Sequence, residues 1–258
     1  MTFALTALVG YLLAAARLIR TGRRWRSSRA AAFLLGTALL GVAACPALTR
    51  LAATDFRAHV AVHLLLGGFA PLALALGRPM TLALATMPRA ERRYAVRALR
   101  SRAGRTVAHP WVAAALAVGP LYPLYLTPFF ATVERTPVLH TVAHVHFLLA
   151  GYLLAAVTIG IDTGRPASLR VRVSALVLAF AGHATLAKLL YVAGSVPGYP
   201  TEQVTAGAEL MYYGGDVAEL LLVAAVFTRW YVRRRRTDVR VDQSIGLPPV
   251  TPSTSPVM

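Results

Sequence analysis

Four histidines form two equally spaced pairs, and these are the residues of this sequence best suited to chemistry. His59 and His63 lie in one apolar segment, and His140 and His144 lie in another. On a helix, a spacing of four places two side chains about 40° apart and therefore on one face. Such pairs commonly bind a metal ion, and imidazole suits copper, zinc, iron and nickel. The pairs predict a metal site if the fold brings the two segments together.

Two sulfur-bearing residues extend the set of candidate ligands. Met211 and Cys45 carry the thioether and thiol groups that favour Cu(I). Both residue types also pack as ordinary apolar side chains, which is the competing interpretation for each. Met211 is kept as a candidate soft ligand, whereas Cys45 is interpreted as a packing residue. His146 follows His144 by two residues and is expected to face about 200° away from it.

A second group of ionisable residues lies in two further apolar segments. His183 and Lys188 share one segment, and Asp216 and Glu219 share the next. An ionisable group inside a membrane is costly and therefore faces other helices rather than lipid. These side chains are expected either to form a buried structural network or to handle protons or a metal ion.

The elements that position these residues are predicted to be membrane helices. Of the 258 residues, 57% are hydrophobic and only 14% are charged, and the mean hydropathy is +0.58. A soluble domain averages about 25% charged residues, so this chain cannot cover a soluble surface. The composition also excludes a disordered protein and, with one cysteine, a disulfide scaffold. The predicted fold class is an all-α integral membrane protein.

Seven segments have the length of a helix that crosses a bilayer. A hydrocarbon core of about 30 Å requires about 20 apolar residues. The predicted transmembrane helices are residues 3–19, 30–48, 58–76, 110–133, 138–161, 173–194 and 206–227. They form one seven-helix transmembrane domain over residues 1–236. The Pro- and Ser-rich residues 237–258 are predicted to form a disordered cytoplasmic tail.

Basic residues are distributed unevenly among the loops between these helices. The successive loops and the C-terminal segment hold 6, 2, 8, 1, 3, 0 and 6 of them, which places 23 on one side and 3 on the other. Because basic loops stay in the cytoplasm, the N-terminus is predicted outside and the C-terminus inside. This topology explains the net charge of +17, so no nucleic-acid partner is expected. The basic residues 87–105 are predicted to form a helix on anionic membrane lipid.

This topology places both histidine pairs near the outer surface. The helices of residues 58–76 and 138–161 each run from outside to inside and carry their pair in the first turns. At about 1.5 Å per residue, His63 and His144 lie about one to two turns below that surface. We therefore expect one outward-facing site built from imidazoles. Met211 lies at a similar depth, whereas Asp216 and Glu219 lie deeper.

Three segments, taken in order, resemble the motifs of a known family. AHVAVHLLLGGFAPLALALGRPMTLAL carries H-x-x-x-H-L-L-L, then A-P and L-x-L-G-x-P, and LHTVAHVHFLLAGYLLAAVTIGID carries the second pair and a closing Asp. TEQVTAGAELMYYGGDVAELLLVAAVFTRWY combines an acid–Gln element, A-G, Met, a small-residue pair, an acid and a final Arg/Trp. Through these motifs the chain resembles the CtaG-type cytochrome c oxidase assembly proteins over most of its length.

Individual residues carry this resemblance, and two depart from it. The matching residues are His59, His63, Pro71, Gly77, Pro79, His140, His144, Gly151, Asp162, Gln203, Ala206, Gly207, Met211, Gly215, Asp216 and Trp230. Glu202 stands where the family pattern has an aspartate, and His146 has no counterpart in that pattern.

The resemblance implies a membrane factor, not an enzyme, that helps to mature a haem–copper oxidase by handling or delivering copper. Its partners would be cytochrome c oxidase subunits and membrane lipid, and it would cross the bacterial plasma membrane several times. Under this hypothesis the ligands would be His59, His63, His140 and His144, with Met211 as a soft ligand. Glu202, Asp216 and His183 would orient those ligands by hydrogen bonding or replace one of them.

Two other functions fit the same residues. A membrane haem protein or quinol oxidoreductase would use one histidine from each pair as an axial haem ligand. An intramembrane zinc hydrolase would combine histidines with a carboxylate and an open position for water. A transporter is the least supported function, because the sequence has no evident inverted repeat.

Overall fold

The part of the chain that the computed structural model describes is mostly helical. That part comprises residues 2–162 and 166–245, with side chains over residues 4–162 and 166–235. Its α-helices are α1 Thr2–Arg20, α2 Ser27–Ala43, α3 Pro46–Ala52, α4 Phe56–Leu64, α5 Ala70–Gly77, α6 Pro79–Thr86, α7 Arg89–Arg100, α8 Arg102–Val107, α9 Pro110–Val118, α10 Leu121–Leu126, α11 Phe129–Arg135, α12 Pro137–Ile159, α13 Leu169–Ala193 and α14 Thr201–Ile245. No strand occurs in these ranges, which confirms the all-α prediction.

Several of these stretches can cross a membrane by length and composition. Four qualify as they stand: Phe56–Thr86, Pro137–Ile159, Leu169–Ala193 and Thr201–Arg235. Two bent pairs raise the number to six, namely α2 with α3 at 53°, and Pro110–Leu126 with α11 at 95°. The chain is therefore a membrane protein with four to six such spans among its described residues. The count of seven, whose first member corresponds to α1, and the orientation stay predictions.

The polar segments outside these spans are also helical where the structure describes them. The basic segment 87–105 contains α7 and most of α8, and neither helix has a buried residue. Its contact with lipid stays a prediction. α14 continues to Ile245, and residues 246–258 of the predicted tail lie outside the described residues. The predicted boundary at residue 236 and the disorder of the tail therefore stay predictions.

Proline and glycine explain the interruption between α4 and α5. A π-helical turn, Leu65–Phe69, joins the two helices just before Pro71. A proline ring clashes with the carbonyl four residues earlier, here that of Gly67, and the wider π turn accommodates it. α5 ends at Gly77. The next residue, Arg78, has a left-handed φ of 54°, and Pro79 starts the next helix.

Two apolar clusters form most of the core, one toward each end of the bundle. The first contains Phe56, Val60, Leu64, Leu121, Tyr125, Phe130, Phe147, Leu186 and Met211. The second contains Leu72, Ala75, Leu154, Ile159, Leu176, Leu222 and Val226. α14 packs against α4 and α13, and α12 packs against α5, α9 and the π turn. α4 and the start of α12 thus lie at the first cluster, which surrounds the histidine pairs.

A backbone contact sets how closely α12 crosses the π turn. A Cβ atom added at Gly151 would lie far inside contact distance of the Gly67 carbonyl oxygen and 3.0 Å from Pro71 Cγ. Only glycine allows this approach, because any other residue would place a carbon atom against the backbone of the neighbouring helix. The crossing therefore holds together the two chain segments that carry the histidine pairs.

Candidate functional site

His59 lies near the start of α4 in an aromatic pocket. Its Nε2 atom is 3.1 Å from Tyr125 Oη on α10. Its ring also contacts Phe56, Phe130 and Tyr199, with centroids 5.7, 5.3 and 6.2 Å away. Tyr199 belongs to the loop between α13 and α14, and burial raises its pKa to about 12. The Tyr199 hydroxyl is therefore uncharged at neutral pH.

His63 lies one turn further along α4 and is buried, with 8% of its surface exposed. Phe147 on α12 packs edge-on against its ring at 4.9 Å, and Tyr125 does so at 6.0 Å. The ring nitrogens of His63 make no hydrogen bond to any residue that the structure describes. Both nitrogens are therefore free of competing protein partners within that part of the chain.

His140 and His144 lie side by side on the first turns of α12. Their ring centroids are 4.1 Å apart, as the spacing of four predicts. His140 Nε2 is 3.6 Å from Oε1 of Glu134, which lies near the end of α11. The 95° bend before α11 carries Glu134 toward α12. Sequence reasoning missed this carboxylate, because its position depends on the bend and not on any local spacing.

One cavity is lined by all four histidines together with Glu134. Its volume is about 20 Å³, which admits about one water-sized molecule or ion. The rest of its wall is apolar or aromatic and includes Tyr125 and Phe130. The fold thus brings the two predicted pairs together. Their role as ligands stays a prediction, because no three His, Cys, Asp or Glu side chains in the described ranges are grouped closely enough to hold a metal ion.

A second cavity lies deeper in the bundle and shares His63 with the first. Its volume is about 100 Å³, and His183, Glu219 and several glycines also line it. His183 Nδ1 on α13 is 3.5 Å from Glu219 Oε1 on α14. Gly215 makes room for this imidazole, since a Cβ there would lie 2.7 Å from its Nδ1 atom. His183 and Glu219 thus contact each other, as expected in a buried network.

The remaining predicted residues lie outside the linings of these two cavities. Met211 is fully buried in the first core cluster, and Glu202 is exposed on the first turn of α14. Asp216 is half-buried and makes no side-chain hydrogen bond or ion pair with the described residues. Lys188 Nζ lies 5.3 Å from the ring centroid of Tyr212. Whether Met211, Glu202 or Asp216 contributes to a metal site stays a prediction.

Two other residues singled out in the sequence have separate positions. His146 Nε2 is 3.0 Å from the Leu116 carbonyl oxygen on α9, so its ring turns away from the cavity of the two pairs. Cys45 is half-buried at the break between α2 and α3. Gln203, which the family motif includes, accepts a hydrogen bond from the Phe56 amide at 3.3 Å. This bond ties the start of α14 to the start of α4.

Comparison with known proteins identifies relatives of this chain. A family model described as cytochrome c oxidase caa3 assembly factor (Caa3_CtaG) matches residues 9–233. Uncharacterized proteins of Mycobacterium bovis and Mycobacterium tuberculosis are each 30% identical over 256 residues, and one of Mycobacterium leprae is 27% identical over 257 residues. Each alignment covers 91% of this chain, and the chain spans only 39% of the length of each relative. No solved structure matches the chain.

Proposed function

Because the chain belongs to the cytochrome c oxidase caa3 assembly factor family, we propose that it handles copper for the oxidase at the four-histidine cavity. The family is one of oxidase assembly factors, and this membership implies association with cytochrome c oxidase. The proposal adds copper as the cargo, the bacterial plasma membrane as the location and a role that is not enzymatic. It is carried by one observation, that His59, His63, His140 and His144 line a single cavity.

The size and the donors of this cavity suit a single small metal ion. A volume of about 20 Å³ accommodates an ion and excludes a larger ligand. Neutral imidazole nitrogens are good ligands for copper. The surrounding aromatic side chains of Tyr125, Phe130 and Phe147 limit the access of water. An ion in this cavity would therefore depend on the histidines for its coordination.

The contacts of the histidines support a transient cargo. His59 Nε2 contacts the Tyr125 hydroxyl at 3.1 Å, and His140 Nε2 contacts the Glu134 carboxylate at 3.6 Å. A metal ion that binds through these nitrogens must first displace both partners, which lowers the net affinity. After the ion leaves, the same partners satisfy the imidazoles again. Such competition favours release to a client protein over permanent retention.

Cavity size disfavours the haem alternative. Pockets for organic ligands and cofactors have volumes of about 300–1,000 Å³, whereas the cavity between the two histidine pairs measures about 20 Å³. The zinc hydrolase alternative keeps one supporting observation, since Glu134 adds a carboxylate to the same cavity. The metal titration described next therefore compares copper with zinc.

Metal binding by the detergent-purified protein tests the proposal. We would titrate the wild type and the double variant His63→Ala/His144→Ala with Cu(I) and with Zn(II). His146→Ala is the matched control, because it removes an imidazole two residues from His144 that faces α9. We expect the wild type and the control to bind copper. The double variant should bind it at least about tenfold more weakly, which corresponds to a loss of at least about 1.4 kcal/mol of binding free energy.

Other outcomes of this titration would contradict the proposal. Unchanged copper affinity in the double variant would refute the site, and selective zinc binding would favour the hydrolase hypothesis. A haem absorption band in the purified wild type would favour the haem hypothesis. In cells, loss of the protein should lower cytochrome c oxidase activity, and added copper should restore it. Normal oxidase activity in the deletion strain would refute the assembly role.

A further inference from the structure

An arginine-lined cavity lies at the opposite end of the bundle from the histidine cavity. About 24 Å of α12, at about 1.5 Å per residue, separates His144 from Gly160 at its far end. The arginine-lined cavity is near that far end and has a volume of about 710 Å³. Its basic lining residues are Arg26, Arg29, Arg78, Arg229 and Arg233. None of its described lining residues is acidic.

Neighbouring groups hold several of these arginines in place. The Arg29 guanidinium lies 4.5 Å from the ring centroid of Trp25. Arg229 and Arg233 both donate to the Gly160 carbonyl oxygen, at 3.0 and 3.4 Å. Arg229 Nε is buried and has no hydrogen-bond partner in the described part of the chain. Buried donors are normally satisfied, so this orphaned group calls for a partner that the described part of the chain does not supply.

The carboxylate beside this cluster is already engaged elsewhere. Asp162 accepts hydrogen bonds from the Met80 and Thr81 amides at 3.2 and 3.0 Å, from the Thr81 hydroxyl, and from Tyr152 Oη at 2.8 Å. It forms no ion pair with an arginine in the described ranges. Like charges at short range repel one another. Asp162 therefore stands beside the arginine cluster and is not among the described residues that line its cavity.

We propose that this cavity binds a phosphate group, carried either by the headgroup of an anionic phospholipid or by a free phosphate ion. Guanidinium groups match phosphate oxygens in paired, charge-assisted hydrogen bonds. The volume lies within the range of about 300–1,000 Å³ that is usual for ligand pockets. The wall also contains the apolar residues Leu76, Ile161 and Val232, which suit the glycerol and acyl region of a lipid. The predicted topology places this end in the cytoplasm, where basic pockets between helices bind lipid headgroups.

A comparison of lipid and phosphate binding tests this site. We would use native mass spectrometry to titrate the detergent-purified protein with phosphatidylglycerol and with phosphatidylcholine, and measure thermal unfolding with inorganic phosphate. The test variant is Arg29→Gln/Arg233→Gln, which removes one guanidinium from α2 and one from α14. The matched control is Arg17→Gln/Arg20→Gln, because both residues are exposed at the same end of α1 and do not line the cavity.

The outcomes distinguish the two sources of phosphate and can refute the site. A preference for phosphatidylglycerol that falls at least about tenfold in the test variant, and not in the control, would establish a lipid headgroup site. Stabilisation of the wild type by inorganic phosphate, lost only in the test variant and without lipid preference, would establish a free phosphate site. Equal losses in both variants, or no anion effect on the wild type, would refute the proposal. If the Gln variant does not fold, Arg29→Lys/Arg233→Lys takes its place in the test. This variant keeps the charge and should retain part of the binding.

Discussion

Replacement of Gly151 by alanine is expected to separate the two chain segments that carry the histidine pairs. The added carbon would lie 3.0 Å from both the Gly67 carbonyl carbon and Pro71 Cγ. Carbon atoms prefer a separation of about 3.5–4.0 Å, so α12 must retreat from the π turn by at least about 0.5 Å. The obstacles are backbone and a proline ring, which no side-chain rotation can move. Overpacking of this kind costs about 1–3 kcal/mol, and the helix preference of alanine over glycine offsets about 0.5–1 kcal/mol of it.

Gly67→Ala is the matched control for this prediction. It changes the partner glycine at the same crossing, yet a Cβ atom there would meet nothing within 4 Å. Thermal unfolding in detergent should show a lower Tm for Gly151→Ala only, by about 2–4 °C per kcal/mol. Its Cu(I) affinity should also fall, because the histidine pairs move apart. If Gly151→Ala had the same Tm as the wild type, the packing argument would be refuted. A lower Tm with unchanged copper affinity would show that the crossing of α12 over the π turn does not set the spacing of the histidine pairs.

Two carboxylates outside the histidine cavity give further predictions. Asp162→Ala should lower the free energy of unfolding by about 2–3 kcal/mol, because Thr81 and Tyr152 lose their acceptor; a Tm equal to that of the wild type would contradict this. Asp55 caps α4, and its hydrogen bond with the Arg57 side chain holds its pKa below the ordinary value. Its carboxylate therefore stabilises the folded protein at pH values above the ordinary pKa of an aspartate. This stabilisation is lost as the pH falls through the lowered pKa of the folded state. Asp55→Ala should cost about 1 kcal/mol at neutral pH and much less in strong acid, so a Tm difference that does not vary with pH would contradict the assignment.

The meeting of the histidine pairs could be predicted because it depends on local quantities. A spacing of four fixes the face of a helix, and the distance from the start of an apolar segment fixes the depth. His140 and His144 accordingly lie with their rings 4.1 Å apart, and both pairs line one cavity. The second layer of the site was not predictable in this way. Glu134 reaches the histidines only because the chain bends by 95° between α10 and α11. Tyr125 contacts His59 from a different helix, α10, and no local spacing contains that contact.

A hydropathy pattern could not predict the interruptions of the helices either, because it averages over a window of residues and does not register a break. The predicted segment 30–48 contains the 53° bend between α2 and α3, where Pro46 starts a new helix. The predicted segment 58–76 is part of a longer stretch, Phe56–Thr86, that continues past Arg78. Its last helix, α6, begins with the Met80 and Thr81 amides, which donate to Asp162, 82 and 81 residues further along the chain. No local pattern contains that contact.

The distribution of charge explains how one bundle could hold both the proposed copper site and the proposed phosphate site. Among the described residues, the two carboxylates that line the histidine cavities each meet an imidazole, with Glu134 beside His140 and Glu219 beside His183. An imidazole can stay neutral in an apolar environment, so such a pair costs less to bury than a carboxylate with a guanidinium that is always charged. A neutral imidazole is also the form that binds a metal ion. The arginines are instead gathered at the other end, where solvent and lipid headgroups are within reach. The proposed copper site and the proposed phosphate site are thus separated along α12 by the same physical cost, that of burying a permanent charge.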